Sequence, residues 1–99
     1  MTINKTIENE ILILELEGRL DTSTSPLLED ELKSAFEIVK KITMDFSKLD
    51  YVSSAGLRVL LLGQKSAKEK NIHMSLTGVS KDIMEVFEIT GFSDLLNIE

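Results

Sequence analysis

Strand-like and helix-like segments alternate along this chain, and that alternation limits the fold more than any other property of the sequence. The run Glu10-Ile11-Leu12-Ile13-Leu14-Glu15-Leu16-Glu17 reads as a strand, continuous enough in apolar character to be covered on both faces. Thr2 to Ile7 alternates weakly ahead of Glu8-Asn9, so the two segments pair as a hairpin, and Gly18-Arg19-Leu20-Asp21 ends the second strand. Thr22-Ser23-Thr24-Ser25-Pro26 then marks a helix start, with Ser25 as the capping hydroxyl and Pro26 in the first helical position. Leu28, Leu32, Ala35, Phe36 and Val39 recur at helical spacing, with Glu29, Asp30 and Glu31 early and Lys40-Lys41 late, as the helix dipole favours. Ile42 to Phe46 is the next strand, Ser47 to Val52 a loop, and Ser54 to Lys70 a second helix. Ile72 to Thr77 is a further strand ended by Gly78, and Ser80 caps a third helix carrying Ile83, Met84, Val86 and Phe87. Gly91 offers a left-handed stop to that helix, and Leu95 to Ile98 supplies a last strand. The order β-β-α-β-α-β-α-β implies an α/β fold: a mainly parallel mixed sheet with an N-terminal hairpin and right-handed crossover helices. Short loops leave function to the loop tips or helix ends on one face of the sheet.

A chain of 99 residues has room for one domain, residues 1–99, and burial of roughly two thirds of its unfolded surface lets it fold alone. It has no cysteine, which removes thiol nucleophiles, disulfides and Cys-based zinc sites. The start Met1-Thr2-Ile3-Asn4-Lys5 has neither a signal-peptide core nor a myristoylation glycine, and Val59 to Leu62 is far too short to cross a bilayer. A cytoplasmic location is the expectation. A net charge of −6 repels phosphate backbones and anionic lipid, and the lysines at 40, 41, 65, 68 and 70 stand near helix C-termini. Neither direct nucleic-acid binding nor membrane binding is therefore expected.

The chemically suggestive stretch is Ser53-Ser54-Ala55-Gly56, at the start of the second helix. Free N–H groups and the positive end of the helix dipole gather there, and Ala55 and Gly56 leave Ser54 open to a second protein or a phosphoryl donor. The local pattern alone favours the plainer reading, in which one serine is simply a helix cap. A nucleophile elbow would need a glycine where Val52 stands, and the single imidazole, His73, lies in a strand with a structural or surface role. Asp21, Asp45 and Asp50 could approach one another at the strand ends and hold Mg²⁺, but the acidic pair and late lysine of a phospho-accepting receiver are missing.

Three segments, "GRLDTSTSPLLEDEL", "ITMDFSKLDYVSSAGLRVLL" and "GFSDLLNIE", resemble the STAS domain of bacterial anti-sigma factor antagonists across essentially the whole chain. The middle one is the most specific, combining a strand, the Asp45 and Asp50 spacing, and Ser-x-Gly-Leu at the helix start. The resemblance implies a small β/α switch module in which Ser54 is the phosphoacceptor. Asp21 matches the acidic residue beside the acceptor, and Thr22, Ser53, Ala55, Gly56 and Arg58 fall in the partner-binding region. The resemblance further implies an anti-sigma factor that is also a serine kinase, which holds the ATP and Mg²⁺, and a serine phosphatase that resets the switch. The protein itself would have no cofactor and would not be an enzyme. Ser53 replaces the family's aspartate before the acceptor and Ala55 its hydroxyl residue after it, so Ser53 is the competing acceptor. Family members usually add a C-terminal helix beyond the position of Glu99, and its absence would leave a sheet face partly uncovered. A constitutive STAS interaction subunit, as a scaffold or transport-system component without phosphorylation, is the alternative.

Overall fold

A computed structural model describes residues 1–99. β1 (Thr2–Glu8) and β2 (Ile11–Leu20) form an antiparallel hairpin, followed by α1 (Ser25–Ala35), β3 (Lys41–Val52), α2 (Ser54–Glu69), β4 (His73–Thr77) and α3 (Lys81–Thr90). The hairpin turns on Asn9 and Glu10, both with positive φ, a two-residue geometry whose twist matches that of the flanking strands. The sheet order is β1-β2-β3-β4, with β2, β3 and β4 parallel, as the alternation of elements requires.

Register fixes which face is buried. Leu12, Ile42 and Met74 stand side by side, as do Leu14, Met44 and Leu76, and all six side chains are buried. They pack beneath Leu28 and Leu32 of α1, Leu57 and Leu60 of α2, and Ile83 and Phe87 of α3. The Phe46 and Phe87 rings meet at 6.5 Å between centroids, tilted by 52°. On the other face Ile13 is 41% exposed and Glu15 and Glu17 face solvent, so β2 is covered on one side only. The expectation of two covered faces fails because the isoleucine at 13 interrupts an otherwise alternating pattern of buried Leu12, Leu14 and Leu16.

Four boundaries differ from the sequence reading. β2 runs on through Gly18, whose φ is +104°, to Leu20. The stretch expected as a loop, residues 47–52, is the second half of β3. Between Glu15 and Glu17 of β2, β3 advances from Asp45 to Lys48, and between Gly18 and Arg19 it advances from Leu49 to Tyr51. Each step adds one residue to β3, a bulge, so Phe46, Leu49 and Val52 point inward at a spacing of three that no period-two search detects. α1 ends at Ala35, leaving Val39 buried in the following turn. Instead of a final strand, a short 3-10 turn at Phe92–Asp94 leads to a single bridge between Leu76 and Ile98.

Two glycines with positive φ test how the chain turns after β4 and α3. Gly91 has open space where a Cβ would stand, whereas at Gly78 a Cβ would lie 2.9 Å from Asp45 Oδ1 and 3.0 Å from the Ser47 nitrogen. Gly91→Ala should cost about 1–2 kcal/mol from backbone conformation alone. Gly78→Ala should cost about 1–3 kcal/mol more through the clash, measured by urea denaturation of both variants.

Candidate functional site

The end of β2 and the start of α2 are bonded directly to each other. The Ser53 N–H donates to the Leu20 carbonyl at 2.9 Å, and Gly56 lies so close to Leu20 that a Cβ would fall 2.8 Å from Leu20 Cγ and 2.9 Å from its carbonyl oxygen. Gly56 is buried, and its small size is an internal packing requirement of the junction. Ser53 is the N-cap of α2: its Oγ accepts the Gly56 N–H at 3.3 Å and its carbonyl accepts the Leu57 N–H at 2.9 Å.

Ser54, the first helical residue, is exposed, and its hydroxyl makes no hydrogen bond to the rest of the chain. Its backbone N–H and that of Ala55 precede the first intrahelical bond, so both donors remain free beside it. Two adjacent serines thus have opposite situations. One is consumed by the fold, and the other is presented to whatever approaches the helix start.

The loop after β2 is organised by Asp21. Its Oδ1 accepts the Ser23 hydroxyl at 2.8 Å, the Ser23 N–H at 3.1 Å and the Thr24 N–H at 3.1 Å. These bonds, the Ser23 hydroxyl foremost, hold the Asp21 carboxyl below its ordinary pKa, so it is ionised at neutral pH. They also change the capping arrangement expected for α1. Thr24 is the N-cap, without a side-chain capping bond, because its hydroxyl turns back to the Arg19 carbonyl at 2.7 Å and accepts the Asp21 N–H. Ser25, expected as the cap, is the first helical residue, and its buried Oγ donates to the Asp21 carbonyl at 2.6 Å.

Around these two features lie further polar groups. The Arg19 guanidinium sits 4.2 Å from the centroid of the Tyr51 ring, its partner across the β2–β3 pairing, and 3.9 Å from Asp21 Oδ2. A hollow of about 390 Å³ is bordered by Thr22, Pro26, Glu29, Ala55, Arg58 and Leu62, which places Thr22, Ala55 and Arg58 at one opening. Arg58 is exposed. The sequence reading omitted Tyr51, Ser23 and Thr24. Tyr51 meets Arg19 only because of the two bulges in β3, and the Asp-x-Ser-Thr spacing of the loop is the local sign that could have revealed the other two.

The remaining candidates lie elsewhere. Asp45 Oδ1 accepts the Ser47 N–H at 2.9 Å, which lowers its pKa, and it lies close to Gly78. Asp50 is exposed on β3, and no three acidic, histidine or cysteine side chains converge as a metal cluster. His73 opens β4 and so stands at the edge of the sheet opposite Ser54, with Nε2 3.0 Å from Glu99 Oε2. It is out of reach as a base for either serine. No helix is long and apolar enough to cross a membrane.

The STAS domain family model matches residues 2–99, and the chain belongs to that family. It is 34% identical over 89 residues to BtrV of Bordetella bronchiseptica, a match covering 89% of this chain and 77% of that protein. It is 30% identical over 84 residues to the anti-sigma-B factor antagonist of Listeria monocytogenes, covering 83% and 73%. The fold is also that of the Bacillus cell fate determinant SpoIIAA in its phosphorylated form, with a TM-score of 0.79 at 18% identity over 99% of this chain and 91% of that one.

The unequal roles of the serines have a measurable consequence. Ser53→Ala removes the cap and should lower stability by about 1 kcal/mol. Ser54→Ala should leave stability within about 0.5 kcal/mol of the parent, because no internal bond is lost. Urea denaturation of the two variants decides, and equal losses would contradict the assignment of roles.

Proposed function

We propose that this protein is an anti-sigma factor antagonist switched by phosphorylation of Ser54. Unphosphorylated, it offers the start of α2 and the Asp21 loop to an anti-sigma factor that is also a serine kinase, and the sigma factor held by that partner is released to act in transcription. The kinase, which binds the ATP and Mg²⁺, transfers the γ-phosphoryl group to Ser54 Oγ, leaving ADP and a proton. A serine phosphatase restores the hydroxyl. In this reading the protein is a cytoplasmic ligand and substrate without a cofactor or catalytic residue of its own.

The observation that carries the reading is the free, exposed Ser54 hydroxyl beside Ser53, whose hydroxyl caps the helix. The roles of the relatives suggest the partner class: the Listeria protein is an anti-sigma-B factor antagonist, and SpoIIAA exists in a phosphorylated form. Electrostatics supplies the switch. A phosphoserine adds about −1.5 to −2 charges and strongly held water to a surface that already carries ionised Asp21. A thousandfold loss of affinity needs about 4 kcal/mol, within what one desolvated, unpaired phosphate costs in an interface. In this reading Asp21, Thr22, Ser53, Ala55 and Arg58 are contacts for the partner, three of which, Thr22, Ala55 and Arg58, border one hollow, while Gly56 acts by letting α2 approach Leu20.

The test uses the kinase that a Ser54→Ala bait retains from the native cells, purified and incubated with this protein, ATP and Mg²⁺. Fragmentation of the tryptic peptide from Leu49 to Arg58 distinguishes the two serines. Phosphate on Ser54, its loss in Ser54→Ala and its retention in Ser53→Ala are the expected results. Phosphate on Ser53, or no incorporation by a kinase that binds the protein, would overturn the reading.

A further inference from the structure

Arg58 stands four residues after Ser54 on the same face of α2, and both are exposed. Residues so spaced lie about 5–6 Å apart at their Cβ atoms, and the favourable order for an ion pair has the anion first and the cation four residues later. Helical side chains lean toward the N-terminus, so a long side chain at 58 covers the turn that begins at Ser54. Ala55, which borders the same hollow as Arg58, carries only a methyl group.

The charges nearby leave Arg58 uncommitted. The ion pairs of the chain use Lys5, Arg19, Lys33, Lys40 and His73, and Arg58 is in none of them. Glu29, the carboxylate bordering the hollow from α1, is held by Lys33 at 3.0 Å, and Asp21 is occupied by the bonds of its own loop. The other guanidinium at this edge, Arg19, is already stacked on Tyr51.

We infer that Arg58 is the internal counter-charge of phosphorylated Ser54: its guanidinium folds back over one turn, pairs with the phosphate oxygens, and thereby leaves the surface a partner meets. A guanidinium suits this task because its planar donors match two phosphate oxygens at once. Phosphorylation then changes the interface twice, adding an anion and withdrawing a cation. The inference rests on Ser54 being the modified residue.

Its test does not need the kinase. Phosphoserine is installed at position 54 during translation, through a reassigned stop codon, in the parent and in Arg58→Gln and Arg58→Lys. Phosphorus NMR follows the second ionisation of the phosphate, and nitrogen-proton spectra follow the Arg58 Nε–H. Asp21, Glu29, Arg19 and Lys33 are common to all three proteins, so differences report on residue 58. The phosphate pKa should rise by about 0.2–0.4 in Arg58→Gln and by less in Arg58→Lys. The Arg58 Nε–H signal should move only in the phosphorylated parent, and unmodified Arg58→Gln should melt with the parent. An identical phosphate pKa in parent and Arg58→Gln, with an unmoved Nε–H signal, overturns the pairing. Should the kinase prove to modify a different residue while the pair is seen in the installed phosphoserine, the functional reading fails and the pairing stands.

Discussion

The contact between Gly56 and Leu20 is the constraint on which the candidate site depends. With no side chain at 56, the first turn of α2 rests against the last residue of β2, and the Ser53 N–H closes the junction on the Leu20 carbonyl. The helix start cannot then drift from the sheet edge. Asp21 follows Leu20 directly, so the same contact brings the Asp21 loop beside the serines without a long-range bond between them. A Cβ at 56 would meet backbone as well as side chain, which leaves little room for relief.

From that junction the division of labour between the serines follows. A helix start must satisfy its first donors, and Ser53 does so for Gly56. Once that duty is met, the next hydroxyl is surplus to the fold, and surplus polar groups on a rigid element suit recognition. The phosphate of the proposed switch would meet free N–H groups at the positive end of a sixteen-residue helix, a favourable place within the protein. What stabilises the modification internally does not help a partner that must remove water from it. In the proposed switch, binding and folding would therefore respond separately to one chemical change.

Much of this was legible in the sequence because local signals agreed with the global fold. Ser80 and Gly91 bracket α3 as cap and left-handed stop, and the start of α2 at Ser54 follows from the serines and the apolar run behind them. The illegible parts depend on pairing. The two bulges of β3 erase the alternation of residues 47–52, so a strand reads as a loop and the meeting of Tyr51 with Arg19 is hidden. Thr24 rather than Ser25 caps α1 because the hydroxyls near Asp21 compete for the same carboxylate and carbonyls, a contest no propensity ranks. The single bridge at Ile98 likewise depends on the path of residues 92–97 and not on their β-propensity.

The central claim is that one covalent change at an exposed hydroxyl alters binding and leaves the fold intact. It is tested most directly by calorimetric titration of the purified anti-sigma partner with the unmodified protein and with protein fully phosphorylated at Ser54, alongside the melting temperature of both forms. The expected result is a loss of affinity of about a thousandfold with closely similar melting temperatures. Equal affinities, or a loss of affinity accompanied by a large fall in melting temperature, would contradict the account.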